Sequence, residues 1–273
     1  MATEERRGTT DVGGRTLAYR LLGSGPPLLL INGYAATAAD WDPSFLAALG
    51  ARFAVICPDN RGTGGSELGE PAELTVAAMA ADAVALLDAL GIEWAAVAGW
   101  SMGGFVAQRL ALDAPARVGS LTLLATAPGG GRSVVGDAAA WHRLTDDSGT
   151  PREQASRLIA LLFPPDLARQ IDAQFGDVVA AARAALSPAT LRAQEAAMIA
   201  WQRDPAGGPP DPPPPVLAAA GSADEVIPPA NLERLAERWL GARTELFVGG
   251  GHAFMAQEPE RVAGLIAELA ISS

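Results

Sequence analysis

Gly99-Trp100-Ser101-Met102-Gly103 is the stretch of sequence that decides the fold. The apolar run 94–99 leading into it is typical of a buried strand, and the run 102–112 that follows is typical of a helix. A strand that turns at once into a helix brings its own backbone into close contact, which explains the small residues at positions 99 and 103. Such a turn lifts the Ser101 hydroxyl above the edge of the sheet. The pattern therefore predicts a nucleophile elbow with Ser101 as the nucleophile.

A nucleophilic serine needs a base, and the chain has only two histidines, His142 and His252. His252 follows the strand-like run Thr244–Val248 in a glycine-rich loop, where an imidazole can reach across the carboxyl end of a sheet. His142 stands in a helical stretch among arginine and aspartate residues, which is typical of a surface position. We therefore predict His252 as the base.

The third member of a triad is a carboxylate that orients the imidazole. The strand-like run Pro215–Gly221 is followed by Asp224 and Glu225, one sheet position before the histidine strand. Adjacent residues on a turn point in different directions, and we favour Asp224, with Glu225 as the alternative. After the preceding strand-like run, 121–126, the sequence has no carboxylate in its turn.

With these residues in the order Ser101, Asp224, His252, the chain resembles the α/β-hydrolase superfamily, in its group of capped serine esterases, lactonases and cofactor-free haloperoxidases. The segment Asp59–Ser66 matches the D-x-R-G-x-G-x-S loop that follows the fourth strand in that family. The resemblance covers residues 15–269. It implies an α/β-hydrolase fold, with a mostly parallel eight-stranded sheet, helices on both faces and a helical cap inserted after strand 6.

The resemblance also implies an oxyanion hole formed by the backbone amides of Tyr34 and Met102. Where the family usually has His-Gly, this chain has Asn32-Gly33. Asparagine can still donate and accept hydrogen bonds, so we expect the loop to keep its amide geometry. Epoxide hydrolases and dehalogenases of this fold place an aspartate at the elbow, and Ser101 disfavours those reactions.

The alternation of strands and helices stops at residue 129 and resumes after residue 206. We therefore expect a hydrolase core from 1–128 and 207–273, the second part beginning with a proline-rich linker, and a helical cap at 129–206 with helices near 136–144, 151–163, 166–186 and 188–203. An apolar pocket is expected between them, in which Phe254 and the oxyanion residues are favoured over the cap side chains. Its candidate residues are Asn32, Trp100, Phe254, Trp141, Phe163, Met198 and Trp201.

Composition fits an enzyme with a large core. The chain has 273 residues, 49% of them hydrophobic, and a net charge of −11, with arginine as its only basic residue. That charge excludes the basic footprint of a nucleic-acid-binding protein. Residues 1–10 lack the apolar region of a signal peptide, and no apolar run reaches membrane-spanning length, so we expect a cytoplasmic protein without membrane contact. The lone Cys57 predicts no internal disulfide, and no metal or organic cofactor is expected.

The sequence therefore predicts acyl transfer from a small to medium, largely apolar ester or lactone through an acyl-enzyme on Ser101. Transfer of the acyl group to hydrogen peroxide, as in the haloperoxidase-like relatives, is a side reaction of the same machinery. Three alternatives stay open: a carbon–carbon bond hydrolase, a ligand-sensing protein on the hydrolase fold, and a non-catalytic member.

Overall fold

The computed structural model describes residues 5–134 and 136–271. Eight strands in this part form one sheet in the order β1-β2-β4-β3-β5-β6-β7-β8. Strands β1, β2 and β4 pair antiparallel, and all other neighbours pair parallel. The strands are β1 (Arg6–Asp11), β2 (Thr16–Leu22), β3 (Pro27–Ile31), β4 (Ala54–Pro58), β5 (Ala95–Trp100), β6 (Val118–Leu124), β7 (Val216–Gly221) and β8 (Arg243–Phe247).

Ten α-helices lie within the described residues, and most begin with a recognisable cap or an early proline. They are α1 (Pro43–Gly50), α2 (Val76–Ala89), α3 (Met102–Asp113), α4 (Ala138–Thr145), α5 (Pro151–Leu162), α6 (Pro165–Ala184), α7 (Pro188–Arg203), α8 (Asn231–Arg238), α9 (Phe254–Gln257) and α10 (Pro259–Ile271). None of the helices described is long and apolar enough to cross a bilayer.

The sheet is buried on both faces. In β3, Leu29 and Ile31 join one core cluster, which includes side chains of α2, α3, α7 and α8. Leu28 and Leu30 point the other way, into a cluster with α1 and α10. Alternation along a strand sends successive side chains to opposite faces, so a continuous apolar run is what a doubly covered parallel strand requires.

The carboxyl ends of the parallel strands meet at one edge of the sheet. Ile31 pairs with Gly99, Trp100 pairs with Leu124, and Gly221 pairs with Phe247. The loops that leave these strands therefore gather along a single edge, where open α/β sheets form their sites.

The predicted eight-stranded, mostly parallel sheet with helices on both faces is confirmed. Strand ends differ from prediction by at most three residues. The expected strand 94–99 is observed as β5, shifted by one residue. Helix α1 was not predicted, although Asp42 accepts a hydrogen bond from the Phe45 amide as its N-cap. Residues 1–10, in which no signal peptide is expected, lie partly outside the described residues, which begin at position 5.

Between β6 and β7 the described residues form helices and turns without a strand. Helix α5 packs on both α4 and α6, whereas α7 packs on α2 and α3 of the core. Whether residues 129–206 act as a cap over a pocket stays a prediction at this point.

Candidate active site

The backbone at Ser101 has a conformation that side chains rarely adopt. Its φ of 56° and ψ of −120° lie between the end of β5 and the start of α3. A Cβ added at Gly99 would lie 2.2 Å from the Gly103 carbonyl oxygen, and one added at Gly103 would lie 2.2 Å from the Ile31 carbonyl oxygen. The two glycines therefore allow β5, α3 and β3 to approach closely enough for the elbow to form.

Strand β6 and the residues after it hold the elbow from the other side. The Ser101 amide donates to the Leu124 carbonyl (2.9 Å), and the Thr126 hydroxyl donates to the Ser101 carbonyl (2.8 Å). Ser101 is nearly buried, with 6% of its surface exposed. Its main chain is thus fixed on both sides, which leaves the hydroxyl as its free reactive group.

His252 and Asp224 form a buried pair. His252 Nδ1 lies 2.8 Å from Asp224 Oδ2, and the second carboxylate oxygen accepts the amides of Val226 and Ile227, each at 2.9 Å. This arrangement favours a proton on Nδ1 and leaves Nε2 as the accepting nitrogen. Glu225 is exposed and forms an ion pair with Arg143 at 2.5 Å, so the structure brings Asp224, and not its neighbour, to His252.

Trp100 connects the elbow with the histidine loop. Its indole Nε1 donates to the His252 carbonyl (2.9 Å), and its ring centroid lies 5.4 Å from that of the imidazole. On the other side of the elbow, a Cβ added at Gly33 would lie 3.3 Å from the Ser101 Cβ. The loop after β3 and the loop after β8 therefore flank Ser101.

Two backbone amides flank the elbow in sequence or in space: Tyr34 lies in the loop after β3, and Met102 is the first residue of α3. In the part of the chain that the structure describes, neither the Tyr34 nor the Met102 backbone amide donates a hydrogen bond within the protein. Asn32 is buried, and its side-chain amide donates to the Pro58 carbonyl (3.1 Å) while its own carbonyl accepts from Asn60 (3.0 Å). Asn32 therefore braces the loop, and the two unused amides are available to an oxyanion.

Three polar side chains of α7, here called the α7 clamp (Thr190, Gln194 and Glu195), hold the loops of the core. The side-chain oxygen Oε1 of Gln194 accepts a hydrogen bond from the backbone amide of Ala35 (2.9 Å). Ala35 has a φ of 56°. Glu195 accepts the Tyr34 hydroxyl (2.7 Å), and Thr190 donates to the Gly62 carbonyl (3.1 Å). Helix α7 is thus hydrogen-bonded to the loop that contains Tyr34.

Sequence reasoning missed the α7 clamp. Burial and the hydrogen bond to Glu195 raise the pKa of Tyr34 well above its usual range, so its hydroxyl stays a donor. Gln194 is fully buried, but a single polar residue on a helix carries no signal that tells a buried bridge from a solvated face.

Two of the predicted pocket side chains, Phe163 and Phe254, lie in segments next to the histidine loop. Phe163 follows α5, whose Leu162 carbonyl accepts the Ala253 amide (3.1 Å), so that segment lies beside the histidine loop. Phe254 is fully buried and stacks on Phe247, which makes it a core residue.

Two other residues of the insertion, Trp201 and Met198, belong to the core cluster that includes α2 and α3. Trp201 stacks on Phe105 of α3 with ring centroids 5.8 Å apart, and Met198 is buried in the same core cluster. Trp141 is 38% exposed on α4, and its place in the pocket stays a prediction.

Other reactive groups in the described residues do not compete with Ser101. Cys57 is buried in β4, and this burial raises its pKa to about 12, which keeps the thiol protonated. Within residues 5–134 and 136–271, no three side chains of histidine, cysteine, aspartate or glutamate are grouped to hold a metal ion.

Comparison with known proteins places this geometry among hydrolases. The family model described as "Alpha/beta hydrolase family" matches residues 28–265. A putative carbamate hydrolase RutD of Azorhizobium caulinodans is 44% identical over 114 residues, which span 41% of this chain and 42% of that relative. The protein of the same name from Caulobacter vibrioides is 30% identical over 85% of this chain and 86% of its own length.

A putative non-heme bromoperoxidase BpoC of Mycobacterium tuberculosis is 41% identical over 40% of this chain and 42% of its own length. Thus the match covers about two-fifths of the length of that relative. Among solved structures, a meta-cleavage product hydrolase of Pseudomonas fluorescens superimposes with a TM-score of 0.81 over 96% of both chains, at 22% identity. That likeness shows the shared fold.

Proposed function

Since this chain belongs to the alpha/beta hydrolase family, we propose that it is a serine hydrolase that cleaves a small to medium, largely apolar carboxylic ester or lactone. The single observation that carries the proposal is the buried hydrogen bond of 2.8 Å between His252 Nδ1 and Asp224 Oδ2. It lies beside the elbow at Ser101, and the three residues follow one another in the order used by this family. One fold hosts many different reactions, so the proposal rests on the residues of the site and not on the fold.

Acylation begins when the Ser101 hydroxyl attacks the ester carbonyl carbon and its proton passes to His252 Nε2. Asp224 holds the imidazole in the tautomer that can accept that proton and stabilises the imidazolium. The amides of Tyr34 and Met102 donate to the oxyanion, and each such donor is worth roughly 3–4 kcal/mol to the transition state. The tetrahedral adduct then expels the alcohol, which takes the proton back from His252, and the acyl group stays on Ser101.

Deacylation repeats these steps with water. His252 removes a proton from water as its oxygen attacks the acyl carbon, the same amides bind the second oxyanion, and the Ser101 oxygen leaves with the proton that His252 returns. Water is replaced by hydrogen peroxide in the perhydrolysis that we propose as a side reaction. The relative named a bromoperoxidase supports this side reaction.

We propose that the helical segment 129–206 serves as a cap on the core formed by 1–128 and 207–273. The α7 clamp supports this role, because Gln194 and Glu195 bond directly to the loop that carries the Tyr34 amide. The contact of the Leu162 carbonyl with the Ala253 amide joins the same segment to the histidine loop.

A carbamate is the second candidate substrate, favoured by two relatives named carbamate hydrolases. The same mechanism would give a carbamoyl-enzyme on Ser101, which water then cleaves.

The test is hydrolysis of a 4-nitrophenyl ester series from acetate to decanoate, with 4-nitrophenyl N-methylcarbamate measured in parallel. Ser101→Ala is expected to lower kcat on the order of 10⁶-fold. Ser24→Ala, a change in an exposed turn between β2 and β3, is the matched control and is expected to keep the parent rate. Activity that survives Ser101→Ala would overturn the proposal, and saturable binding with no turnover in the parent would support a ligand sensor instead.

A further inference from the structure

Arg183, at the end of α6, is a buried cation without a partner among the described residues. Only 8% of its surface is exposed, and its guanidinium forms no hydrogen bond or ion pair with any residue that the structure describes. Its Nε is buried and unpartnered. The terminal nitrogens are not buried in this way, so they face accessible space. A buried guanidinium is normally paired, because five donors lose their water without replacement.

The electrostatic neighbours of this guanidinium are Tyr34, in the loop after β3, and residues of the helical segment 129–206. Burial lowers the pKa of Arg183, and the groups whose charges act on it are Tyr34, Arg157, Asp147 and Glu195. Glu195 is already bonded to the Tyr34 hydroxyl at 2.7 Å. Arg157 is paired with Asp146 at 3.4 Å and donates to the carbonyls of Asp146 and Ser148.

Asp147, the remaining acid, is exposed to solvent. The acidic and basic groups near Arg183 are therefore either occupied by other partners or hydrated. Its donors are therefore not used by any residue that the structure describes.

We propose that Arg183 binds a carboxylate carried by the substrate at the end remote from the scissile carbonyl. This inference rests on the proposed function and narrows it to esters of dicarboxylic acids, with the reacting ester at Ser101 and the free acid at α6. A planar guanidinium suits a carboxylate because two parallel N–H donors match its two oxygens. Tyr34 supports the placement, since its amide is the proposed oxyanion donor and its hydroxyl donates to Glu195, which acts electrostatically on Arg183.

The test compares mono-4-nitrophenyl half-esters of linear dicarboxylic acids, from glutarate to suberate, with their neutral methyl 4-nitrophenyl diesters. The quantity measured is the ratio of kcat/KM for the acid over that for the methyl ester. Arg183→Met is expected to lower this ratio about 10- to 100-fold at the preferred chain length. Arg192→Met removes an exposed charge from α7 and is expected to leave the ratio unchanged. A structural role for Arg183 would slow both esters alike.

An equal fall in both variants would assign the effect to net charge, and an unchanged ratio in folded Arg183→Met would overturn the proposal. Arg183→Gln serves if circular dichroism shows that the methionine variant is unfolded. Binding keeps the inference separate from catalysis. Calorimetry with monomethyl adipate is expected to show binding to Ser101→Ala and at least a tenfold loss in Ser101→Ala/Arg183→Met. Equal binding, or none to either protein, would contradict the inference, whatever the fate of Ser101 as nucleophile.

Discussion

Asp224 uses its two carboxylate oxygens for different partners, and this division fixes the imidazole. Oδ2 meets His252 Nδ1, while Oδ1 accepts two backbone amides, those of Val226 and Ile227. In Asp224→Asn the two amides would retain the side-chain oxygen and turn the new NH₂ group toward Nδ1. The imidazole proton would then move to Nε2, where the base must be free. We expect kcat for 4-nitrophenyl esters to fall about 10⁴-fold, with the fold kept.

Glu225→Gln is the matched control for that variant. Glu225 is adjacent in sequence, but its carboxylate is exposed and pairs with Arg143, so its loss is expected to change kcat by less than about twofold. A large fall in kcat in Glu225→Gln and a small one in Asp224→Asn would mean that Glu225, and not Asp224, orients His252.

Single residues with strong chemical constraints were the easiest to predict. Ser101, Asp224 and His252 follow from one motif, a shortage of histidines and the turn after a strand, all of which are local. Gln194 and Arg183 were not predictable, because their importance depends on which face of an insertion helix meets the core. Asn32 was named as a pocket candidate, and its bond to the Pro58 carbonyl makes it a brace of the loop.

At the level of elements, α3 packs tightly on β3 in the site. A Cβ added at Gly103 would lie 2.2 Å from the Ile31 carbonyl oxygen, which belongs to fixed backbone. Gly103→Ala is therefore expected to lower the free energy of unfolding by about 3 kcal/mol or more, measured by chemical denaturation. The helix must move away from the sheet to accept the methyl group, so ester hydrolysis should fall as well.

Gly264→Ala is the matched control, the same substitution in a helix where the opposite effect is expected. Gly264 lies within α10, and an added Cβ there meets nothing within 4 Å. Removing a helical glycine should raise the free energy of unfolding by about 0.5–1 kcal/mol. If Gly103→Ala were also neutral or stabilising, the tight packing of α3 on β3 would be disproved.

Elements were predictable where the apolar pattern settled them. Strand β5 is predicted to within one residue of its observed bounds, because a short apolar run that leads into the elbow motif leaves little choice. Helix α1 was overlooked because its eight residues lack the period of a long amphipathic helix, although Asp42 and Pro43 signal its start. The packing of α7 on α2 and α3 depends on tertiary contacts that no local pattern reports.

Across the whole molecule, a buried ion-pair network joins the amino-terminal hairpin, the loop 59–66 and α2. Asp82 of α2 accepts from Arg61 and Arg15, with the Arg61 Nη2 and Arg15 Nη2 each 2.8 Å from Oδ1. Asp82 and Arg61 are both buried. The same loop reaches the site, since Asn60 bonds to the Asn32 carbonyl. One carboxylate thus holds together segments from three parts of the chain.

Asp82→Asn would leave Arg61 buried with an uncompensated charge, and breaking a buried pair in this way costs about 3–5 kcal/mol of the free energy of unfolding. For a protein of this size we expect Tm to fall by roughly 6–20 °C, measured by differential scanning calorimetry. Asp88→Asn is the control, because Asp88 pairs with Arg117 at 2.7 Å but its side chain is 64% exposed, and its loss should cost less than about 1 kcal/mol. Equal shifts in the two variants would mean that burial does not strengthen the Asp82 network. A large fall in Tm in Asp82→Asn alone would mean that the buried ion pairs of Asp82 stabilise the fold. The loop 59–66, whose Asn60 bonds to the Asn32 carbonyl, is part of that network.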